Sequence, residues 1–210
     1  MRTLVLVKQS FACLWTVNIM ILSLEEANDC ISRTGEGEEL TISNQGFTEV
    51  SVVSQIPTVN AVNAAFNQIV SLDAFRVMKN LVRLNVMHNG ISSLEPLRGM
   101  RNLKVVRASN NLLSSLGPLA ECPNLKELWV QNNEFRALNV VNDLKGLENL
   151  ESLVFKPNPC ITKQKLNDKA YRARIIIKLE SLEVLDAVRV EDEEREKAAS
   201  LAGEQDAKAL

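Results

Sequence analysis

Few side chains in this 210-residue sequence could carry covalent or acid–base chemistry. A single histidine, His88, excludes a multi-histidine metal site, and no serine or cysteine is arranged beside it as a nucleophile. The four cysteines, Cys13, Cys30, Cys122 and Cys160, contain neither a Cys-x-x-Cys pair nor a zinc spacing. They are expected as reduced, mostly buried thiols of an intracellular protein. Gly35-Glu36-Gly37 reads as a helix stop and Asn89-Gly90 as a turn, so neither is a phosphate-binding loop. No catalytic residue, metal site or cofactor is therefore expected. The chemistry left is recognition, and the side chains available for it depend on the elements that carry them.

The chain is 46% apolar and 24% charged, enough for a packed core. Its 24 basic and 26 acidic residues leave a net charge of −2, which argues against a nucleic-acid coat or a basic membrane-binding surface. Leucine occurs 29 times and asparagine 20 times, against 4% aromatics. Asparagine favours turns, so its abundance beside leucine points to one turn used many times.

That turn belongs to a repeat of 22 residues. Leu81, Leu84, Val86, Asn89, Ile91, Leu94 and Leu97 recur as Leu103, Val106, Ala108, Asn111, Leu113, Leu116 and Leu119. They recur again as Leu125, Leu128, Val130, Asn133, Phe135 and Leu138, and earlier as Val59, Val62, Ala64, Asn67, Ile69, Leu72 and Phe75. A 25-residue step reaches Leu150, Leu153, Phe155 and Asn158, and Leu182 and Leu185 open a truncated copy. The pattern is that of leucine-rich repeats. Each Leu-x-x-Leu-x-Leu unit is a short strand with alternate side chains inward, and the asparagine amide satisfies backbone groups at a buried bend. Asn67, Asn89, Asn111, Asn133 and Asn158 should form a ladder, with Gln45 as an imperfect first rung. The expected fold is α/β: a right-handed solenoid with a short parallel concave sheet, a helical or irregular convex side, and caps at both ends.

Residues 1–19 are expected as a poorly ordered extension. Lys8, Gln9 and Asn18 interrupt its apolar run, and no small-x-small cleavage site follows, so it reads as neither a secretory signal nor a membrane span. Met20 is a second candidate start. Residues 20–36 should hold a capping helix, opened by the capping box Ser23-Leu-Glu-Glu26, running to Thr34 and stopped by Gly35. Repeats fill 37–166 and a C-terminal cap 167–190. The tail 191–210 has seven acids against three bases and reads as a solvated, frayed helix or a disordered segment.

Tyr171-Arg172, Ile176-x-Lys178-Leu179, Leu182-x-Val184-Leu185-Asp186, Val190 and Glu194-Arg195 resemble the C-terminal cap of intracellular leucine-rich-repeat proteins. Within that group the segment is similar to the spliceosomal A-prime subunit of a small nuclear ribonucleoprotein. It is also similar to the axonemal dynein leucine-rich light chain, to dynein-assembly factors and to a cilia-associated repeat protein with a similar Leu144-Lys-Gly-Leu147 and Asn158-Pro159-Cys160 pattern. The resemblance covers roughly residues 20–200 and implies a location in the cytoplasm, cytoskeleton or nucleus. It implies a non-enzymatic scaffold or adaptor in a spliceosomal or ciliary setting, or a regulatory subunit of a protein phosphatase.

In such a solenoid, binding falls to outward strand positions. The third, fifth, seventh and eighth positions of the repeats supply Phe66, Arg83, Asn85, Met87, His88, Arg107, Glu127, Trp129, Gln131, Val154 and Lys156. Large apolar groups ringed by polar ones mark an interface core, with Trp129 as its anchor. The expected partner is a helix or small domain of another protein. Direct nucleic-acid binding, membrane association and a small-molecule ligand are not expected.

Overall fold

The computed structural model describes residues 20–35, 37–162 and 167–207, so the extension expected over 1–19, with Cys13, lies outside the described residues. Nine strands among them form one sheet whose spatial order is the chain order. They are β1 (Ile31–Thr34), β2 (Gly37–Thr41), β3 (Ala61–Asn63), β4 (Arg83–Asn85), β5 (Val105–Arg107), β6 (Glu127–Trp129), β7 (Ser152–Val154), β8 (Val184–Leu185) and β9 (Val188–Arg189). β2 to β8 run parallel, and β1 and β9 pair antiparallel at the two edges.

The period read in the sequence becomes the register. Glu39, Ala61, Arg83, Val105 and Glu127 are successive Cα partners 22 residues apart, and Ser152 follows after 25. Each middle residue points inward: Leu40, Val62, Leu84, Val106, Leu128, Leu153 and Leu185 are at most 2% exposed. The return segments are short 3-10 helices, among them Asp73–Val77, Glu95–Leu97 and Gly117–Glu121. They press Phe75, Leu97 and Leu119 against the same core. Pro96 and Pro118 sit in the first turns of two of these helices, where a missing N–H costs nothing.

The strands β3 to β7 are only three residues long because an asparagine bends the chain inward soon afterwards. Asn111 Nδ2 donates to the carbonyls of Val86, Ala108 and Ser109 at 2.9, 3.1 and 3.3 Å, and its Oδ1 accepts from Ile91 N at 3.0 Å. Asn67, Asn89 and Asn133 repeat this set, each binding its own turn and the preceding one. Asn158 accepts from Asn133 N at 2.8 Å and donates to Val130 and Phe155. Asn89 is half-buried where the other four are buried. Gln45 is no rung: its side chain is exposed, and only its backbone N–H reaches Asn67 Oδ1, at 3.2 Å. The residue before each of the first four rungs, and before Gln45, takes positive φ: Asn44, Phe66, His88, Asn110 and Asn132.

A second asparagine ladder, absent from the sequence reading, runs along the exposed opposite turn. Asn102, Asn124 and Asn149 donate to the carbonyls of Lys79, Arg101 and Pro123 at 2.9, 2.7 and 2.9 Å. Its signal is the asparagine directly before the repeat-opening leucines Leu103, Leu125 and Leu150.

Both ends differ from expectation. The capping box at Ser23 and Glu26 forms, but the helix α1 covers only Leu24–Asp29 instead of continuing to Thr34. Ile31–Thr34 instead pairs with β2, because the first parallel strand would otherwise leave a bare edge, and a β-branched residue such as Ile31 suits a strand better than a helix end. Gly35 accordingly lies in a hairpin turn. At the other end, a four-residue α2 (Pro159–Thr162) precedes α3 (Asp168–Ile176), which starts three residues before Tyr171 because the Asn167 side chain caps it by accepting from Ala170 N at 2.8 Å. The tail forms α4 (Asp192–Ala207), and its first turns are docked, not frayed. Glu194 binds the Arg172 guanidinium through Nε and NH2 at 2.6 and 2.8 Å, Arg195 donates to the carbonyls of Glu180 and Leu182, and Ala198 is 1% exposed.

The two ladders share a chemistry and differ in burial, which separates their expected costs. Asn111→Ala should destabilise the protein by about 1–3 kcal/mol, because it strands buried backbone groups. Asn124→Ala should cost no more than about 1 kcal/mol, because water replaces the lost bond. Urea unfolding of the two variants checks the difference; equal losses would refute burial as its cause.

Candidate functional site

The outward residues of the strands lie in rows across the sheet. One row reads Glu39, Ala61, Arg83, Val105, Glu127, and the next Thr41, Asn63, Asn85, Arg107, Trp129, Val154. Glu39, Ala61, Arg83, Val105 and Glu127 of the first row and Asn63, Asn85 and Arg107 of the second line an open depression of about 340 Å³, and Trp129 and Val154 lie outside it. Its charges are paired: Arg83 lies 3.9 Å from Glu39, and Arg107 Nε donates to Glu127 Oε1 at 2.8 Å. The Arg107 guanidinium also covers one face of the Trp129 ring, 4.4 Å from its centroid. Trp129 is thus half-buried and held from one side, with Val154 beside it in register.

The structure does not bring all the expected residues onto this face. Phe66 and His88 sit past the strand ends in the left-handed region, on the rim of the sheet, where their rings stack at 4.3 Å between centroids. Asn110 Nδ2 lies 3.2 Å from His88 Nε2, and Asn132 Nδ2 donates to Asn110 Oδ1 at 3.0 Å, so the rim carries its own side-chain row. Met87 is half-buried between rim and sheet. Gln131 Oε1 is engaged by the Ser109 hydroxyl. Ser109 itself, with Ala61 and Ala65, is outward in register yet at most 3% exposed, because small side chains sink between longer neighbours. Lys156 is drawn to the C-terminal cap, paired with Asp168 and 5.3 Å from the Tyr171 ring.

That cap holds a polar residue to which the sequence reading gave no role. Asp186 Oδ1 accepts from the amides of Phe155 and Lys156 at 2.8 and 2.9 Å, and Oδ2 accepts from the Tyr171 hydroxyl at 2.8 Å. Burial, and then the Asp186 charge, push the Tyr171 phenol far above its ordinary value, so it remains a donor. No asparagine spacing marks Asp186; the last turn offers only donors, and an all-acceptor carboxylate meets them.

Cys30, Cys122 and Cys160 are free thiols, and burial raises the pKa of Cys122 and Cys160. Among the described residues no group of three or more His, Cys, Asp or Glu is placed to hold a metal ion, and no helix is long and apolar enough to cross a membrane.

Comparison with known proteins places this geometry. The family model described as leucine-rich repeat matches residues 41–210. No curated protein sequence matches the chain. Among solved structures, an internalin (inlF) of Listeria monocytogenes aligns with a TM-score of 0.61 at 21% identity, over 71% of this chain and 41% of its own. Internalin C2 of the same organism gives 0.54 at 23% identity, over 68% and 62%. The chain therefore spans less than two thirds of either internalin structure. The Drosophila melanogaster SNF/U2A′ complex gives 0.55 at 17% identity, over 91% of this chain and all of the matched one.

The rim supplies a test of backbone strain. Phe66→Asn should leave stability within about 0.5 kcal/mol of wild type, since asparagine tolerates the left-handed region and fills it at three equivalent turns, Asn44, Asn110 and Asn132. Phe66→Val should cost about 1–2 kcal/mol, because a β-branched side chain resists that conformation. Denaturant midpoints of the two variants decide it; equal values would refute the backbone argument.

Proposed function

The chain belongs to the leucine-rich-repeat family, and on that premise we propose that it is a non-enzymatic scaffold or adaptor whose concave sheet face grips a helix or small domain of one protein partner. The observation that carries this reading is Trp129. It stands on the sheet face with one side of its ring under Arg107 and Val154 as its neighbour in register. A tryptophan held in one orientation before binding loses little further freedom when a partner covers it. The paired charges around it suit a rim that excludes water and sets register.

Within that reading a spliceosomal subunit is the setting we favour over a ciliary or phosphatase-linked one. Support comes from the SNF/U2A′ complex, whose matched chain is covered over its full length and which contains a protein partner. Affinity capture separates the settings: an RNA-recognition-motif protein recovered with small nuclear RNA supports the first, and dynein heavy chain, tubulin or a phosphatase catalytic subunit would replace it.

Trp129→Ala should weaken binding of the captured protein at least tenfold, as central tryptophans commonly lose about 2 kcal/mol on truncation. Its melting temperature should barely move, because the inward side of β6 is filled by Leu128. Calorimetry with the purified partner checks both; unchanged affinity would move the binding site off this face.

A further inference from the structure

From Asn63 to Trp129 the second row turns hydrogen-bond donors outward. Asn63 Oδ1 accepts from Ala65 N at 3.4 Å, and Asn85 Oδ1 accepts from Met87 N at 3.2 Å. Each amide is thereby turned with its Nδ2 outward, and no described residue bonds either Nδ2. Arg107 follows in register, its Nε used by Glu127 and its guanidinium carbon 4.4 Å over the Trp129 ring, while its two terminal nitrogens donate to no described residue. The indole N–H of Trp129 is likewise unbonded among them. Neighbouring strands are about 4.8 Å apart, so the donors form a line.

A partner that covers Trp129 also strips water from Arg107. A guanidinium desolvated without an acceptor cancels what the tryptophan contributes, so the partner must bring an acceptor to it. The same molecule shows how an arginine takes two carboxylates. On the convex side, Arg98 is held by Glu95 through Nε and NH2 and receives Glu121 at NH1. Arg107 is held by one carboxylate through Nε alone, and no second carboxylate bonds its terminal nitrogens. Building on the concave-face reading, we propose that the partner is an acidic amphipathic helix. One of its Asp or Glu carboxylates docks on the terminal nitrogens of Arg107 beside Asn85 Nδ2, and an apolar side chain one helical turn away packs against Trp129 and Val154. A polyanion such as RNA fits worse, because Glu39 and Glu127 flank the arginines and would meet successive phosphates.

The test uses the full chain and a phage-displayed library of helical peptides of ~20 residues, randomised on one face. Clones that also bind the Trp129→Ala protein are removed. The surviving peptides should share one Asp or Glu at a fixed position, with an apolar residue three or four positions away. Neutralising that acid to Asn or Gln should cost about 20-fold in affinity on wild type and under about 2-fold on Arg107→Gln, since the pair is then already broken. Arg107→Lys should retain part of the coupling, and it gives a second background should Arg107→Gln fold poorly. Survivors without a fixed acid, or an equal cost on both proteins, would overturn the acidic-helix inference and leave the concave-face reading standing. No Trp129-dependent survivor would overturn both. Tighter binding of a single-stranded RNA than of any peptide, lost in Arg107→Gln, would reassign the row to nucleic acid.

Discussion

The structure depends on solving one problem repeatedly: a chain that turns into its own core must not leave its peptide groups unpaired there. A buried asparagine solves it because one amide carries two donors and an acceptor on a short stem. Asn111 serves its own turn through the carbonyls of Ala108 and Ser109 and the previous repeat through Val86 and Ile91. The bond set therefore joins neighbours as well as closing a bend. With the turn satisfied, strands of three residues suffice and leucines can fill a continuous column from one cap to the other. No buried side-chain nitrogen or oxygen among the described residues lacks a partner, so the polar interior is complete.

The same stacking leaves two exposed problems, one at each end. A parallel sheet built in chain order has two open edges, and open edges recruit other chains. At each end an antiparallel strand from the cap covers the last parallel strand, β1 on β2 and β9 on β8, so the edge passes to a strand of four or two residues. Each cap also adds a helix that covers apolar side chains. At the C-terminal end the Arg172–Glu194 pair and the Asp186–Tyr171 bond tie α3, α4 and the last repeat into one unit.

What could be read from the sequence followed from periodicity. The core positions, the ladder and the strand register all repeat every 22 residues, so one correct alignment places them together. The caps occur once each, and there local propensity competes with edge closure. The capping box at Ser23 was legible, but the pairing that takes Ile31–Thr34 out of the helix is a long-range demand with no local mark. The rim was misplaced for a similar reason. Outward positions were counted along the repeat, yet the eighth, held by Phe66 and His88, lies past the strand and takes the left-handed turn that Asn44, Asn110 and Asn132 take without penalty. Register alone does not expose a residue either: Ala61, Ala65 and Ser109 are outward in register but have too little reach to be exposed.

Function is confined by what the fold has already used. Inward positions are committed to packing, turn positions to the two ladders, and the ends to edge closure. The outward rows remain, and there the repeat sets spacing but not identity, so neighbouring side chains differ in size and charge from strand to strand. That freedom is what places alanines beside arginines at the N-terminal half of the face and Trp129 with Val154 at the other. The arginines do not make the face basic, because Glu39 and Glu127 neutralise it at short range. They make it directional. Long-range attraction of a polyanion is weak on such a surface, while a single carboxylate arriving at Arg107 meets a guanidinium already oriented by Glu127 and Trp129. Selectivity on this face therefore rests on the fit of individual side chains rather than on net charge.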